Sequence, residues 1–561
     1  MRRTSLALAF LCGWLSPAAA QTPTYERADT LRGSYTSAGR SWWDVTFYDL
    51  QVAINPQDSS IRGSNAITYR VLAPGRELQV DLMEPLIVDS MTSPSGRVRF
   101  RRDGRAYFAR APLTGRGQSR ARTGMLTVYY HGKPQPAKRP PWDGGFSWGA
   151  DSLGRTWVVT TDQGMGASVW WPNKDTQADE PDSQRVALTL PDSMIDVSNG
   201  RLRRVTQHDD GTTTWEWFVT SPINNYAIAV AAGHYTHYSD LFWGEGGPLT
   251  MDFWPLDYHM EAARRQWVQA RSMLQCFEHW FGPYPWYADG YKLIEVSNNG
   301  MEHQSAVAYG NRFANGYQGR DASGTGLGLK FDFIIVHESA HEWFGNNITT
   351  RDLADMWVHE SFANYAEGIY AECQFGKQAG SDYVIGNRRG IRNDRPIVPP
   401  NYGVNAQGSG DMYPKGGEML HTIRQIVGDD EKWRGILRGL NHTFWHQTVT
   451  GSQVEQYIGK ASGSDLTRVF DQYLRTTKVP VFEYRITGDS LQYRWADVVS
   501  GFNMQVPVTL SDSTAAGPQW TILHPAEAWQ TSRIQLRNPA DFKVDPNYYV
   551  LTRDVSAGGT K

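Results

Sequence analysis

The sequence predicts an α+β multidomain protein: a β-rich N-terminal domain, a helix-rich middle and a small C-terminal β-sandwich. Three observations predict it. Runs such as DVTFYDLQVAI (44–54), SNAITYRVL (64–72), MLTVYYHG (125–132) and TWEWFVT (214–220) are rich in β-branched and aromatic residues, many of them alternating, and are separated by Gly, Pro and Asp turns. From residue 258 onward the apolar positions recur at helical spacing, beginning with YHMEAARRQWVQARSMLQCFEHWFG (258–282), which ends at a glycine. After Val479-Pro480-Val481 short strand patterns return, among them FNMQVPVTL and TSRIQLR. A chain of 561 residues has room for about three to four such units.

Taken in order, residues 1–20 read as a signal peptide. Arg2 and Arg3 precede the apolar run Leu6 to Leu15, and Ala18 and Ala20 form a small-x-small cleavage site. The run is well short of the ~20 residues that cross a bilayer, and no later segment is long enough either. The expectation is an exported protein, periplasmic or secreted, without a transmembrane anchor. Residues 21–40 are polar and are expected to form a flexible lead-in. The β domain is expected over 41–240, the helical domain over 241–478 and the sandwich over 479–561. Within the helical domain, helices are expected at about 258–282, 329–345, 355–374, 415–427 and 452–474. Cleavage after Ala20 removes Arg2 and Arg3 and moves the formal charge from −3 to −5. That mild acidity gives no electrostatic basis for binding nucleic acid. Cys12 leaves with the signal; Cys276 and Cys373 remain, either as a disulfide or as two buried thiols.

The chemistry concentrates in HESAHEWFGN (337–346). On a helix, residues four apart share one face, so His337 and His341 can offer imidazole nitrogens to one ion with Glu338 beside it as a base. A hydrophilic helix face could carry the same pentapeptide by chance, so the context decides. A catalytic zinc site needs a third protein ligand and an open position. WVHESFANYAEG (357–368) supplies Glu360 on a second expected helix, among apolar neighbours. A carboxylate buried there without a partner would be costly, and a metal removes that cost. Glu367, seven residues on, shares the face of Glu360 and could orient a liganding histidine; it could equally serve as a helix salt-bridge residue.

These two segments together resemble the aminopeptidase N-like family of gluzincins, which includes the leukotriene hydrolases. FGPYPW (281–286), NGMEHQ (299–304), MYPKGG (412–417), WWPNKD (170–175) and KVDPN (543–547) extend the resemblance over about residues 40–550. It implies a saddle-like N-terminal β domain, a thermolysin-like α/β catalytic domain and one Zn2+ per chain on His337, His341 and Glu360. It further implies Glu338 as general base and Tyr413 as donor to the oxyanion. Glu302, in the stretch matching the family's exopeptidase motif with Gly300 and Met301, would hold the free α-ammonium group of a peptide. Gln163, twelve residues before Asp175, resembles the second amine-binding residue. Departures are Asn299 in place of a glycine, His303 in place of an asparagine and His359 where asparagine is common. The segment after Val479 is short beside the large helical domain of many members, which implies a more open cavity.

The resulting expectation is an exported zinc aminopeptidase acting on peptides with a free N-terminus. An endopeptidase would not need Glu302 and Gln163. An epoxide hydrolase finds no specific support in the sequence. A binding protein with structural zinc would require neither Glu338 nor Tyr413. The Asn347-Ile348-Thr349 sequon lies beside the metal motif and is expected to stay unmodified.

Overall fold

A computed structural model describes residues 24–110, 123–515 and 517–556. The expected signal peptide lies outside the described residues.

Alternating patterns up to about residue 230 become an eight-stranded sheet with the order Arg201–Gln207, Thr212–Val219, Ser183–Pro191, Trp43–Asn55, Ser60–Val71, Thr123–Gly132, Ile87–Ser93, Gly96–Val98. Its one parallel pair joins Trp43–Asn55 to Ser183–Pro191. Leu50, Val52 and Ile54 point inward while Gln51, Ala53 and Asn55 face out, the period-two pattern of a half-buried sheet. A four-stranded and a three-stranded sheet complete this domain.

The lead-in differs from expectation. Residues 24–40 are not a loose tail: α1 (Arg27–Gly33) packs against the β domain and Arg40 is buried, donating to Asp81 at 2.5 Å. Some of its polar groups meet partners in the β domain, as Arg40 does, while others, Glu26, Arg27 and Thr30 among them, stay exposed.

A five-stranded sheet, Tyr238–Gly244, Gly247–Trp254, Tyr291–Glu295, Val307–Tyr309 and Gly300–Met301, opens the middle domain. The helices are α2 (Met260–Gln266), α3 (Gln269–Phe281), α4 (Phe333–Ala340), α5 (Trp357–Phe375), α6 (Lys377–Asn387), α7 (Pro414–Val427), α8 (Asp430–Thr443), α9 (Gly451–Ser462) and α10 (Thr467–Arg475). The helix expected at 258–282 is broken at Trp267, which turns into an aromatic cluster with Phe253, Tyr309 and Phe313. The one expected at 452–474 is two helices, divided at Gly463 in the left-handed region (φ 71°). α6 and α8 were not expected. α4 is shorter than expected because Asp332 caps it, accepting from the amides of Ile334 and Ile335.

Beyond Val479 a four-stranded and a two-stranded sheet pack on the helices. Phe482, Trp495 and Tyr549 share one continuous core with Phe277, Trp343 and Phe362 of the middle domain. Ile294, Met301 and Ala308 belong instead to the core of the N-terminal domain. The Gly300–Met301 strand therefore lies at the seam between the two domains. Cys276 and Cys373 are disulfide-bonded and tie α3 to α5. No helix among the described residues is long and apolar enough to cross a membrane.

Candidate active site

The seam opens into a cavity of about 570 Å³ lined by His337, Glu338, His341, Glu360, Glu302 and Gln163, with Tyr413, Met301, Gly300 and Glu367 also on its wall. Every candidate residue read from the sequence reaches it.

His337 stands in the last turn of α4 and His341 is its C-cap, still in helical conformation (φ −64°, ψ −18°). The two rings therefore stay on one face, with centroids 5.1 Å apart. Glu360, in the first turn of α5, brings Oε2 to 3.6 Å from His337 Nε2 and 3.5 Å from His341 Nε2. The ligand atoms of these three residues lie within 4.8 Å of one another, and all three side chains are buried.

The arrangement fits a metal ion. His337 Nδ1 donates to Glu367 Oε1 at 2.8 Å and His341 Nδ1 donates to the Phe344 carbonyl at 3.0 Å. Both Nε2 lone pairs are thereby turned toward Glu360, the orientation that second partners impose on metal-binding imidazoles. Glu360 Oε2 has no hydrogen-bond partner. Three buried acceptors that face one another repel unless a cation sits between them. Titration tells the same story. Burial lowers the basicity of His337 and His341, yet Glu360 and Glu367 outweigh it at His337, and Glu360 and Glu302 at His341, so both imidazoles shift upward. Burial raises the Glu360 carboxyl, yet the two histidines hold it well below its ordinary range. The cavity draws in positive charge.

Glu367 accepts from Tyr383 Oη at 2.7 Å and from Asn364 Nδ2 at 3.2 Å, besides His337. It is an orienting group, not a surface ion pair. Burial pushes the Glu338 carboxyl up to about 7, with His337 opposing and Glu302 reinforcing the shift. A carboxylate poised there can take and return a proton near neutrality. The Tyr413 ring lies 5.9 Å from that of His337, at 26° to it, where Pro414 starts α7.

Glu302 and Gln163 come from different domains and meet: Gln163 Nε2 donates to Glu302 Oε1 at 2.5 Å and to Glu360 Oε1 at 3.2 Å. Tyr226, which carried no signal in the sequence, donates to the same Glu302 oxygen at 3.3 Å. Gly300 has φ 149°, and a Cβ there would come within 3.0 Å of Glu338 Oε1 and Ile334. A side chain at 300 would press on the Glu338 carboxyl itself.

The departures take up defined places. Asn299 donates to Tyr317 Oη at 2.9 Å and accepts from Gln318 at 2.5 Å, tying the 311–320 loop to the Gly300–Met301 strand. Burial pushes His303 and His359 down to about 3, so both are neutral rings. His359 Nε2 accepts from the Thr350 amide at 2.9 Å. Asn347 of the sequon is buried and donates to Asn441, out of reach of modification.

Residues 267–473 match the peptidase family M1 domain. The chain carries an M1 domain. This agrees with the resemblance to aminopeptidase N-like gluzincins, and the M1 segment contains the histidines and Glu360 but not Gln163. Leucyl aminopeptidase of Saccharolobus solfataricus is 22% identical over 295 residues, 50% of this chain and 36% of that relative. Aminopeptidase N of Lactococcus lactis is 26% identical over 170 residues, 28% of this chain and 20% of the relative. The chain thus spans about a third or less of these curated relatives' length. The fold of the M1 zinc metallopeptidase of Deinococcus radiodurans superimposes with a TM-score of 0.65 at 21% identity, over 80% of this chain and 98% of that one. A variant of that protein has been solved bound to a Tyr-Ser-Ala substrate, with a TM-score of 0.64, covering 79% of this chain and 96% of that one.

Proposed function

We propose that the protein is an exported zinc aminopeptidase that releases N-terminal residues from peptides. One observation carries the reading: a single cavity holds the His337–His341–Glu360 cluster, the Glu338 carboxylate and the Glu302–Gln163 pair side by side. The M1 domain and the short peptide held by the Deinococcus relative support it.

Zinc held by His337, His341 and Glu360 would supply Lewis acidity to the scissile carbonyl and to water. Glu338 would take a proton from the attacking water and deliver it to the leaving amine, a shuttle suited to a carboxyl pushed up to about 7. The Tyr413 hydroxyl would donate to the oxygen that gains charge. A substrate ammonium brings three donors and needs three acceptors. The two oxygens of Glu302 would provide two of them, and Gln163, whose Nε2 donates to Glu302 in the free site, would provide the third on turning its amide oxygen to the ammonium. These anchors fix the substrate by its first residue, so cleavage follows that residue.

Export rests on the reading of residues 1–20, and the Cys276–Cys373 disulfide supports an oxidising compartment. N-terminal sequencing of the exported protein should begin at Gln21.

The deciding experiment pairs free peptides with their N-acetylated forms and maps products by mass spectrometry. Acetylation removes the charge and adds bulk where Glu302 sits, so free peptides should be cleaved far faster, one residue at a time. Internal cleavage of acetylated peptides at matching rates would overturn the aminopeptidase reading in favour of an endopeptidase.

A further inference from the structure

Gln163 stands on a loop without a sheet ladder. Gly164 and Gly166 lie in the left-handed region (φ 72° and 87°), and the local bonds are Met165 N to the Gln163 carbonyl at 2.8 Å and Gly166 N to the Asp162 carbonyl at 2.7 Å. Such a loop is held by what grips it from outside. Two donors from remote parts of the chain grip the Gly164 carbonyl. Arg32 Nη2 of α1 donates at 3.0 Å, and Asn405 Nδ2, from the segment between α6 and α7, donates at 3.2 Å. Arg32 Nε also lies 3.6 Å from Asp175 Oδ2. The fit is close: a Cβ on Gly166 would come within 2.5 Å of both Arg32 and Asp175.

α1 is itself anchored. Gln79 Nε2 donates to the Leu31 carbonyl at 2.8 Å, and buried Arg40 donates to Asp81 and to the Ser34 carbonyl. Gly33 lies so near the 404–405 backbone that a Cβ there would be 2.3 Å from the Asn405 nitrogen. α1 is thus wedged between the β domain and the segment that carries Asn405.

We propose that Arg32 is a positioning residue for recognition of the substrate's amine. Its guanidinium, set by α1, pins the Gly164 carbonyl and so holds Gln163 in reach of Glu302. The inference rests on the reading of Glu302 and Gln163 as amine anchors. Arg32 touches no substrate; it acts through one backbone carbonyl. The ligand cluster, Glu338 and Tyr413 stand on α4, α5 and the start of α7; the loop meets this cluster at Glu360 Oε1, through Gln163 Nε2 at 3.2 Å, and not at the Oε2 that faces the two histidines. Loss of Arg32 therefore separates binding from turnover.

The test measures kcat and KM of the full-length enzyme on a free peptide and on its acetylated form, for wild type, Arg32→Met and Asn405→Ala. A lost hydrogen bond from a charged donor corresponds to about a tenfold rise in KM for the free peptide in Arg32→Met. kcat should change little, and the preference for free over acetylated peptide should shrink by the same factor. Asn405→Ala should move KM in the same direction by less. An unchanged KM and preference in Arg32→Met would overturn the proposal, as would an equal fall in kcat on both peptides. Should Arg32→Met fail to fold, Arg32→Lys decides. It keeps the charge beside Asp175 but loses the fork that reaches Gly164, and an unchanged KM there overturns the proposal. A wild type indifferent to acetylation refutes the amine-anchor reading itself; a discriminating wild type with an equally discriminating Arg32→Met refutes this inference alone.

Discussion

Glu338 and Tyr413 face one cavity with different tasks, and two conservative substitutions separate them from metal binding. Glu338→Gln keeps the shape and removes the proton acceptor; turnover should fall by about 10²–10⁴. Tyr413→Phe keeps the ring beside His337 and removes one donor; turnover should fall by about 10²–10³. Elemental analysis should find the metal retained in both, because both variants keep His337, His341 and Glu360. Near-normal turnover in Tyr413→Phe would show that another group meets the oxyanion. What could be read at this scale follows from spacing. His337, His341, Glu360 and Glu367 announce themselves because helical periodicity puts residues four and seven apart on one face. Tyr226, Tyr383 and Arg32 do not. Their partners stand on other elements (Arg32 and Gly164 are separated by 132 positions), and no local pattern marks a hydrogen bond across such a distance. Gln163 was visible only through resemblance, and the loop that aims it was not.

At the scale of elements, α5 carries Glu360 in its first turn and Cys373 near its last, about 20 Å away along the axis. The disulfide to Cys276 therefore braces the far end of the helix and leaves the ligands untouched. Cys373→Ser should cost about 2–5 kcal/mol of stability, read from the denaturant midpoint under non-reducing conditions. Turnover at low temperature should remain near that of wild type. Loss of activity without loss of stability would mean that the bridge shapes the cavity. Element boundaries were less legible than element types. Asp332 as a cap and Gly463 as a stop carry sequence signals that a broader apolar pattern obscured. Trp267 carries none: a buried aromatic cluster, not a glycine or proline, breaks that helix. α8 went unread although Asp429 caps it and Trp433, Ile436, Leu437 and Leu440 line one face. The packing of the β domain's core against the Gly300–Met301 strand was beyond reach, since it depends on contacts between distant segments.

At the scale of the whole molecule, metal removal should register in stability as well as in activity. The cavity gathers Glu302, Glu338, Glu360 and Glu367 with two imidazoles, all buried, at the seam where the N-terminal and middle domains meet. A bound cation neutralises that cluster. Without it the carboxylates must take up protons or open the seam to water, so the folded state loses ground relative to the unfolded one. An ion present at a hundred times its dissociation constant stabilises the native state by about 2.7 kcal/mol, and stripping it should forfeit a comparable amount. Chelation should thus abolish peptide cleavage and lower the first unfolding transition in calorimetry, and added zinc should restore both. Glu338→Gln, inactive but with its ligands intact, should show the same thermal shift. His341→Ala, lacking a ligand, should melt lower from the start and respond weakly to chelator. A chelated, metal-free wild type that melts and cleaves like the untreated enzyme would remove the metal from the reading altogether. A thermal shift without loss of cleavage would leave a metal that holds the seam but takes no part in the chemistry.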